Sequence, residues 1–169
     1  SSLEEYGNVL LIDTGAGIHR YIVVFAIASD SLILVTSPDP TAIRDCYGLL
    51  KAVSLSAAAS PEVHLIINMA KSNKEALEIA SRLQFTARDF LDINLNMAGY
   101  ILRDPHVEEA VKIGIPFIIA DPNCEASKCV IQIARKIFNL ENEEGIEEVP
   151  TGRGIKAFCM RLLRQLQLR

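Results

Sequence analysis

Asp13, followed by Gly15 and Gly17, is the first place where residue types and spacing could do chemistry. It closes the apolar run Val9-Leu10-Leu11-Ile12. A run without a polar break reads as a strand buried on both faces, as in a parallel sheet covered by helices. Asp13 then falls at the carboxyl end of that strand, the edge where open α/β sheets bind ligands. The glycines let backbone N–H groups approach an anion with no Cβ in the way. A carboxylate beside such a turn suits a phosphate with its Mg²⁺, the acid holding the metal's water shell and the amides facing phosphate oxygens. An ordinary strand ending in a glycine turn accounts for the same ten residues, so both readings stand at this point.

Other chemistry is harder to find. His19, His64 and His106 have no carboxylate or nucleophile at a telling spacing, so no hydrolytic triad is expected. Cys46, Cys124, Cys129 and Cys159 lack CxxC spacing, and no His lies near Cys124 or Cys129. Reduced thiols in a cytoplasmic protein are the expectation.

The elements that must position Asp13 alternate in type. Residues 18–28 (IHRYIVVFAIA) are β-branched yet long, and their first part is expected to form a short helix, because a crossover must separate parallel neighbours. Residues 31–37 (SLILVTS), 63–69 (VHLIINM) and 95–102 (LNMAGYIL) read as further buried strands. Asp39-Pro40 and Asp104-Pro105 each place an Asp cap before a Pro at the first helical position, so both acids are assigned to capping. Helices are expected after each, the second over 106–113, and also over 73–92, 124–139 and 153–168. Residues 54–60 read as a small-residue loop and 116–120 (PFIIA) as a brief extended piece. This alternation argues an α/β fold, doubly wound, with a mostly parallel sheet flanked by helices and a C-terminal amphipathic helix. The expected organisation is a nucleotide-binding portion over 1–139, an acidic linker over 140–152 and a basic helix over 153–169.

Composition excludes several classes. Half of the 169 residues are hydrophobic and 22% charged, which describes a folded globular chain rather than a disordered one. A net charge of −4 gives no reason to expect nucleic acid as a partner. No apolar run approaches the roughly 20 residues of a membrane span, and the first residues do not read as a signal peptide.

Five segments, in order, carry a resemblance. Asp13-Thr14-Gly15-Ala16-Gly17-Ile18 resembles the switch II segment of the MinD/ParA-type P-loop ATPases, in the spelling of the MinD-like branch that sets flagellar number and placement. Val35-Thr36-Ser37-Pro38-Asp39-Pro40-Thr41-Ala42 is similar to that branch's "VTTPEPTA" element. Ile66-Ile67-Asn68-Met69 resembles the strand that ends in an adenine-reading Asn. Gly99-Tyr100-Ile101-Leu102-Arg103-Asp104 resembles its "G-x-I-x-x-D" segment. Pro116-Phe117, Asp121-Pro122-Asn123 and Ala126-Ser127 resemble its late nucleotide loop. The departure is at the start: these ATPases carry a lysine-bearing P-loop before switch II, and no GxxxxGK[ST] occurs in the 169 residues. A C-terminal portion of a longer protein is the favoured expectation; a shortened homologue without phosphate chemistry is the alternative.

The resemblance implies that Asp13 holds Mg²⁺ through water and that Gly15, Ala16 and Gly17 offer amides to the γ-phosphate of ATP. It implies that Asn68 hydrogen-bonds adenine and that Asp121, Pro122 and Asn123 wall the base; for these residues strand-end capping and ordinary helix entry remain the structural alternatives. ATP hydrolysis is implied for the complete protein, as are ATP/ADP as bound partners, a homodimer and a regulatory protein partner. No catalytic residue is assigned in this chain alone, no tightly bound cofactor is expected, and hydrolysis is not, because phosphoryl transfer needs the P-loop's charge and amides. A strand is expected to be missing beside residues 9–12, with the gap filled by a second copy, a rearranged sheet or an added segment. At the other end Ile155, Phe158, Cys159, Leu162, Leu163 and Leu166 form one apolar face, with Arg161 and Arg164 among the basic residues. That helix either meets an anionic membrane surface, giving a cytoplasmic protein peripheral to the inner face of the membrane, or packs on the domain. The function expected is a nucleotide-gated spatial regulator of flagellar placement or division site. The alternatives are a non-hydrolysing binding module and an unrelated doubly wound enzyme acting on a small phosphorylated substrate.

Overall fold

A computed structural model describes residues 9–56, 61–138 and 154–167. Three strands, β1 (Ser31–Thr36), β2 (Glu62–Ala70) and β3 (Leu95–Leu102), form one parallel sheet in the order β1-β2-β3. The expected strands at 31–37, 63–69 and 95–102 are therefore present to within a residue or so. Each is joined to the next by a helix, as parallel pairing demands. Helix α2 (Pro40–Ser56) links β1 to β2, and α3 (Asn73–Leu91) links β2 to β3.

Both helices lie on one face of the sheet. Leu34 on β1, Leu65 and Ile67 on β2, Leu50 on α2 and Leu83 on α3 are buried together there. The other face carries α6 (Glu125–Ile137), whose Ile133 packs on Ile66 and Ala98. The approach is close at Gly99, where a Cβ would meet Ile133 Cγ1 at 2.6 Å. The lone hydrogen at Gly99 is what lets α6 settle onto β3.

Several expectations are corrected. Residues 9–12 are not a buried strand. They form no ladder, and their exposure runs from 40% at Ile12 to 71% at Leu11. A strand is stable only with a neighbour to take its N–H and C=O groups, and no described strand lies beside it. The segment at 18–28 is helical over its greater part, as α1 (Arg20–Ala28), with Ile22, Val23, Val24, Ala26, Ile27 and Ala28 buried. It is apolar nearly all round because it is covered on two sides: by Val53 of α2, and by α7 (Ile155–Gln167) through the stacked rings of Phe25 and Phe158. Residues 54–56 belong to α2 rather than to a loop. The piece at 116–120 is a single helical turn, α5 (Phe117–Ala120), closed by Ile119 and Ala120 N–H groups donating to the Pro116 carbonyl. The acidic linker at 140–152 lies outside the described residues.

Helix α3 shows why its boundaries were readable. Ser72 Oγ accepts from Glu75 N at 3.2 Å, and Glu75 Oε2 accepts from Lys71 N at 2.7 Å, a reciprocal start. Asp92 ends it in the left-handed region, at φ 54°.

Candidate functional site at the carboxyl ends of the strands

Beyond the end of β3 lies an open cleft of about 450 Å³, whose lining includes Arg103, Asp104, His106, Asp121, Asn123 and Glu125. Its organising residue is Asp104, 8% exposed. One carboxylate oxygen accepts from His106 N (3.0 Å) and His106 Nδ1 (2.7 Å); the other accepts from Ala126 N (3.1 Å). Asp104 thus caps α4 (Pro105–Ile113) and at the same time holds the first turn of α6. The Ala126 amide bond, ahead of the two His106 contacts, holds its carboxyl down at about 2 despite burial.

Asp121 faces the same cleft. Its Oδ1 accepts from Asn123 N at 3.1 Å, its carbonyl accepts from the buried Ser127 hydroxyl at 2.7 Å, and its Oδ2 lies 3.6 Å from His106 Nε2. Cys124 caps α6 through sulfur, accepting from Ser127 N at 3.4 Å. The capping assignments of Asp39 and Asp104 agree with the geometry: Asp39 Oδ1 accepts from Thr41 N at 2.7 Å and also pairs with the Thr41 hydroxyl.

The other residues singled out in the sequence do not line this cleft. Asn68 and Met69 form an irregularity at the end of β2, where the register with β3 slips between Ile67 and Ala70. Met69 sits at φ 59°, and Asn68 Oδ1 accepts from its N–H at 2.9 Å. Two residues on, the Ala70 carbonyl accepts from Arg103 N at 2.9 Å, which ties the end of β2 to the rim of the cleft. Pro122 lies between the lining residues Asp121 and Asn123 and is exposed. Asp13, Gly15 and Ala16 are exposed and Gly17 is half-buried at φ 104°; none of them lines the cleft.

Fit to a nucleotide is therefore uneven. A cleft with three acids and an Asn at the carboxyl edge, beside a bulged strand end carrying Asn68, offers donors and acceptors for a base. Among the described residues no group of three or more His, Cys, Asp or Glu could hold a metal. Asp13 supplies a single carboxylate, which suits an ion held mainly by phosphate oxygens and water. At the carboxyl end of β1 the Thr36 hydroxyl is buried with no hydrogen-bond partner among the described residues. No phosphoryl-transfer step can be derived from these groups.

His106 is the residue that sequence reasoning passed over. It was expected to have no telling partner, yet it lies between two carboxylates. The signal was local: in Asp-Pro-His the cap residue and the second helical residue share one turn, and only the arrival of Asp121 from another loop required the fold. His64 likewise has a carboxylate two residues away, with Nε2 3.7 Å from Glu62.

The C-terminal helix α7 packs on α1. Arg161 Nη2 meets Asp30 Oδ1 at 2.6 Å, Arg161 Nε donates to the Ala28 carbonyl at 2.8 Å, and Gly154 N donates to Asp30 Oδ2 at 3.1 Å. Ile155, Phe158 and Leu162 are half-buried, whereas Leu163, Arg164 and Leu166 are exposed together with Met160. The single apolar face expected from spacing is therefore split between a docked side and an open one. No described helix is long and apolar enough to cross a membrane.

Comparison with known proteins fits this architecture. The chain is 32% identical over 160 residues to the flagellum site-determining protein YlxH of Helicobacter pylori, covering 94% of this chain and 53% of that one. It is 31% identical over 137 residues to the antiactivator FleN of Pseudomonas aeruginosa, covering 81% and 49%. The chain thus spans about half the length of the curated relatives it matches. Among solved structures, the septum site-determining protein MinD from Pyrococcus horikoshii, complexed with Mg-ADP, superposes with a TM-score of 0.50 at 19% identity. That alignment covers 69% of this chain and 44% of MinD, and it supports the fold alone. No family model matches. With five motifs in order, three parallel strands in the matching places and these relatives, the chain belongs to the MinD/ParA-type P-loop ATPase family, on its flagellar site-determining branch.

Proposed function

We propose that the chain acts as part of a MinD-like regulator of flagellar number and placement or of the division site, gated by ATP. What carries this reading is the convergence, at one strand edge, of the Asn68 bulge with the Asp104, Asp121 and Asn123 cleft, in a chain whose relatives bear the names antiactivator and site-determining protein. In the complete protein the adenine lies on the side of Asn68 and residues 121–123. Gly15, Ala16 and Gly17 turn amides toward the γ-phosphate, and Asp13 holds the Mg²⁺ water shell. Switch loops of this kind reorganise between nucleotide states. That coupling would gate a homodimer and its regulatory protein partner.

Asn68→Ala in the complete protein is the test. It should weaken ATP binding by roughly 1–3 kcal/mol, the effect of stranding a buried polar partner, and blunt the preference for ATP over GTP. Unchanged affinity and preference would assign Asn68 to its bond with the Met69 amide and to turn structure alone.

Attachment to an anionic membrane surface is part of the same proposal, supported by Met160, Leu163 and Leu166 lying open beside Arg164. Liposome co-sedimentation with and without residues 150–169 checks it. Equal, salt-insensitive binding by both forms would sink the membrane reading.

A further inference from the structure

The loop that walls the cleft is gripped from one side by an imidazole. We propose that His106 is a positioning residue, a protonation-dependent clasp that fixes loop 121–124 against the first turn of α4. Its Nδ1 is committed: at 2.7 Å from the buried Asp104 carboxylate it must carry a proton, and Asp104 is anchored on its other oxygen by Ala126 N. The proton that comes and goes is the one on Nε2, the nitrogen 3.6 Å from Asp121 Oδ2. With that proton, a cation faces a carboxylate and α4 is joined to the loop. Without it, a lone pair faces the carboxylate, and the loop keeps the bonds it makes away from α4: Asn123 N to Asp121 Oδ1, Asp121 N to the Phe117 carbonyl, and Ser127 to the Asp121 carbonyl and Cys124 Sγ.

The surroundings favour the closed form. Asp104 approaches from the junction of β3 and α4, Asp121 from the loop before α6, and Glu109 acts from α4 itself. The remaining charges lining the cleft are largely engaged elsewhere: Arg103 with Glu108 at 3.4 Å, and Glu125 with Lys128 at 2.7 Å. His106 accordingly titrates above its ordinary value of 6.5, chiefly through the hydrogen bond to Asp104. The clasp is closed at lower pH and opens as pH rises through that raised value. Its consequence for ligand affinity rests on the reading of this cleft as the base pocket; the clasp itself is measured without nucleotide.

The experiment is a titration of the 169-residue chain from about pH 5 to pH 9, following imidazole ¹⁵N shifts and amide exchange corrected for intrinsic rates. His106 is expected to titrate above the ordinary value and to adopt the Nδ1–H form when neutral. Asp121→Asn should lower its midpoint, and exchange at Asn123 and Cys124 should step up as the histidine deprotonates. His106→Gln, at a half-exposed position, should abolish that step. A midpoint at or below the ordinary value, an Nε2–H neutral form, no response to Asp121→Asn, or exchange without a step would each overturn the clasp. A clasp that behaves as described in a chain binding no adenine nucleotide at either extreme would stand, and would remove the base-pocket reading instead.

Discussion

At the scale of single residues, Asp104 does most to hold the cleft together. It satisfies amides at the starts of two helices that share no sequence neighbourhood, so its loss is felt in both. Asp104→Ala should destabilise the chain by roughly 1–3 kcal/mol, read from denaturant midpoints, because a buried amide is left without an acceptor. The sign of the pH dependence follows from the two shifts. Asp104, depressed to about 2, contributes fully above its ordinary value of 3.8, and that contribution fades as pH falls toward about 2. His106, raised above 6.5, contributes fully below 6.5, and its share is lost as pH climbs through the raised value. Stability of the α4–α6 junction should therefore be greatest between about pH 4 and 6.5. Thr36 gives a prediction of opposite sign: Thr36→Val removes a buried hydroxyl without a described partner and should stabilise the isolated chain by roughly 1 kcal/mol. A loss of stability would show that the hydroxyl is in use. The Asp-Pro pairs made both caps legible in the sequence. The Asp104–His106–Asp121 contact was not, since its third member arrives from a separate loop.

At the scale of elements, close approach at Gly99 and the docking of α7 set what can be changed. Gly99→Ala drives a methyl to within 2.6 Å of Ile133 Cγ1, on a buried side chain between helix and sheet. Overpacking of this kind costs about 1–3 kcal/mol, so thermal unfolding should shift down while Gly114→Ala, open but strained at φ 68°, reports backbone strain alone. Asp30→Ala removes a carboxylate that receives both Arg161 and Gly154 N; it should cost roughly 1–2 kcal/mol. Amide exchange should rise across 155–167, leaving β2 and β3 unchanged. Equal exchange in the two proteins would mean that the ring stack of Phe25 and Phe158, with the Arg161 bond to the Ala28 carbonyl, holds α7 without Asp30. Periodicity alone found α7 and its apolar residues. It did not find that Arg161 turns inward, because the partner acid lies 131 residues away. Residues 18–28 were hard to assign for a related reason: β-branched residues favour strands until neighbours on two sides bury them as a helix.

At the scale of the whole molecule, the three strands were legible because each is a short apolar run bounded by turn or cap residues. The same rule misread residues 9–12, whose composition is that of a buried strand but whose burial depends on a neighbour. Two features show apolar chain without a neighbour. Residues 9–12 stand exposed, and β1 pairs with β2 alone among the described residues, leaving Ile33 38% and Val35 55% exposed on the face away from α2 and α3. In P-loop folds the lysine-bearing loop follows a central strand, and the sequence contains no such loop. Asp13 can position a metal, but it cannot replace the lysines and amides that stabilise charge on the β- and γ-phosphates. The 169-residue chain by itself should accordingly show no Mg²⁺-dependent ATP turnover and at best weak nucleotide binding. A coupled phosphate-release assay, with and without Mg²⁺, on the chain and on Asp13→Ala decides the point. Background-level release from both is the expected result. Robust release that disappears with Asp13→Ala would mean that these 169 residues build a complete phosphate site, with amides of the 14–17 turn and cations from elsewhere in the chain standing where a P-loop would.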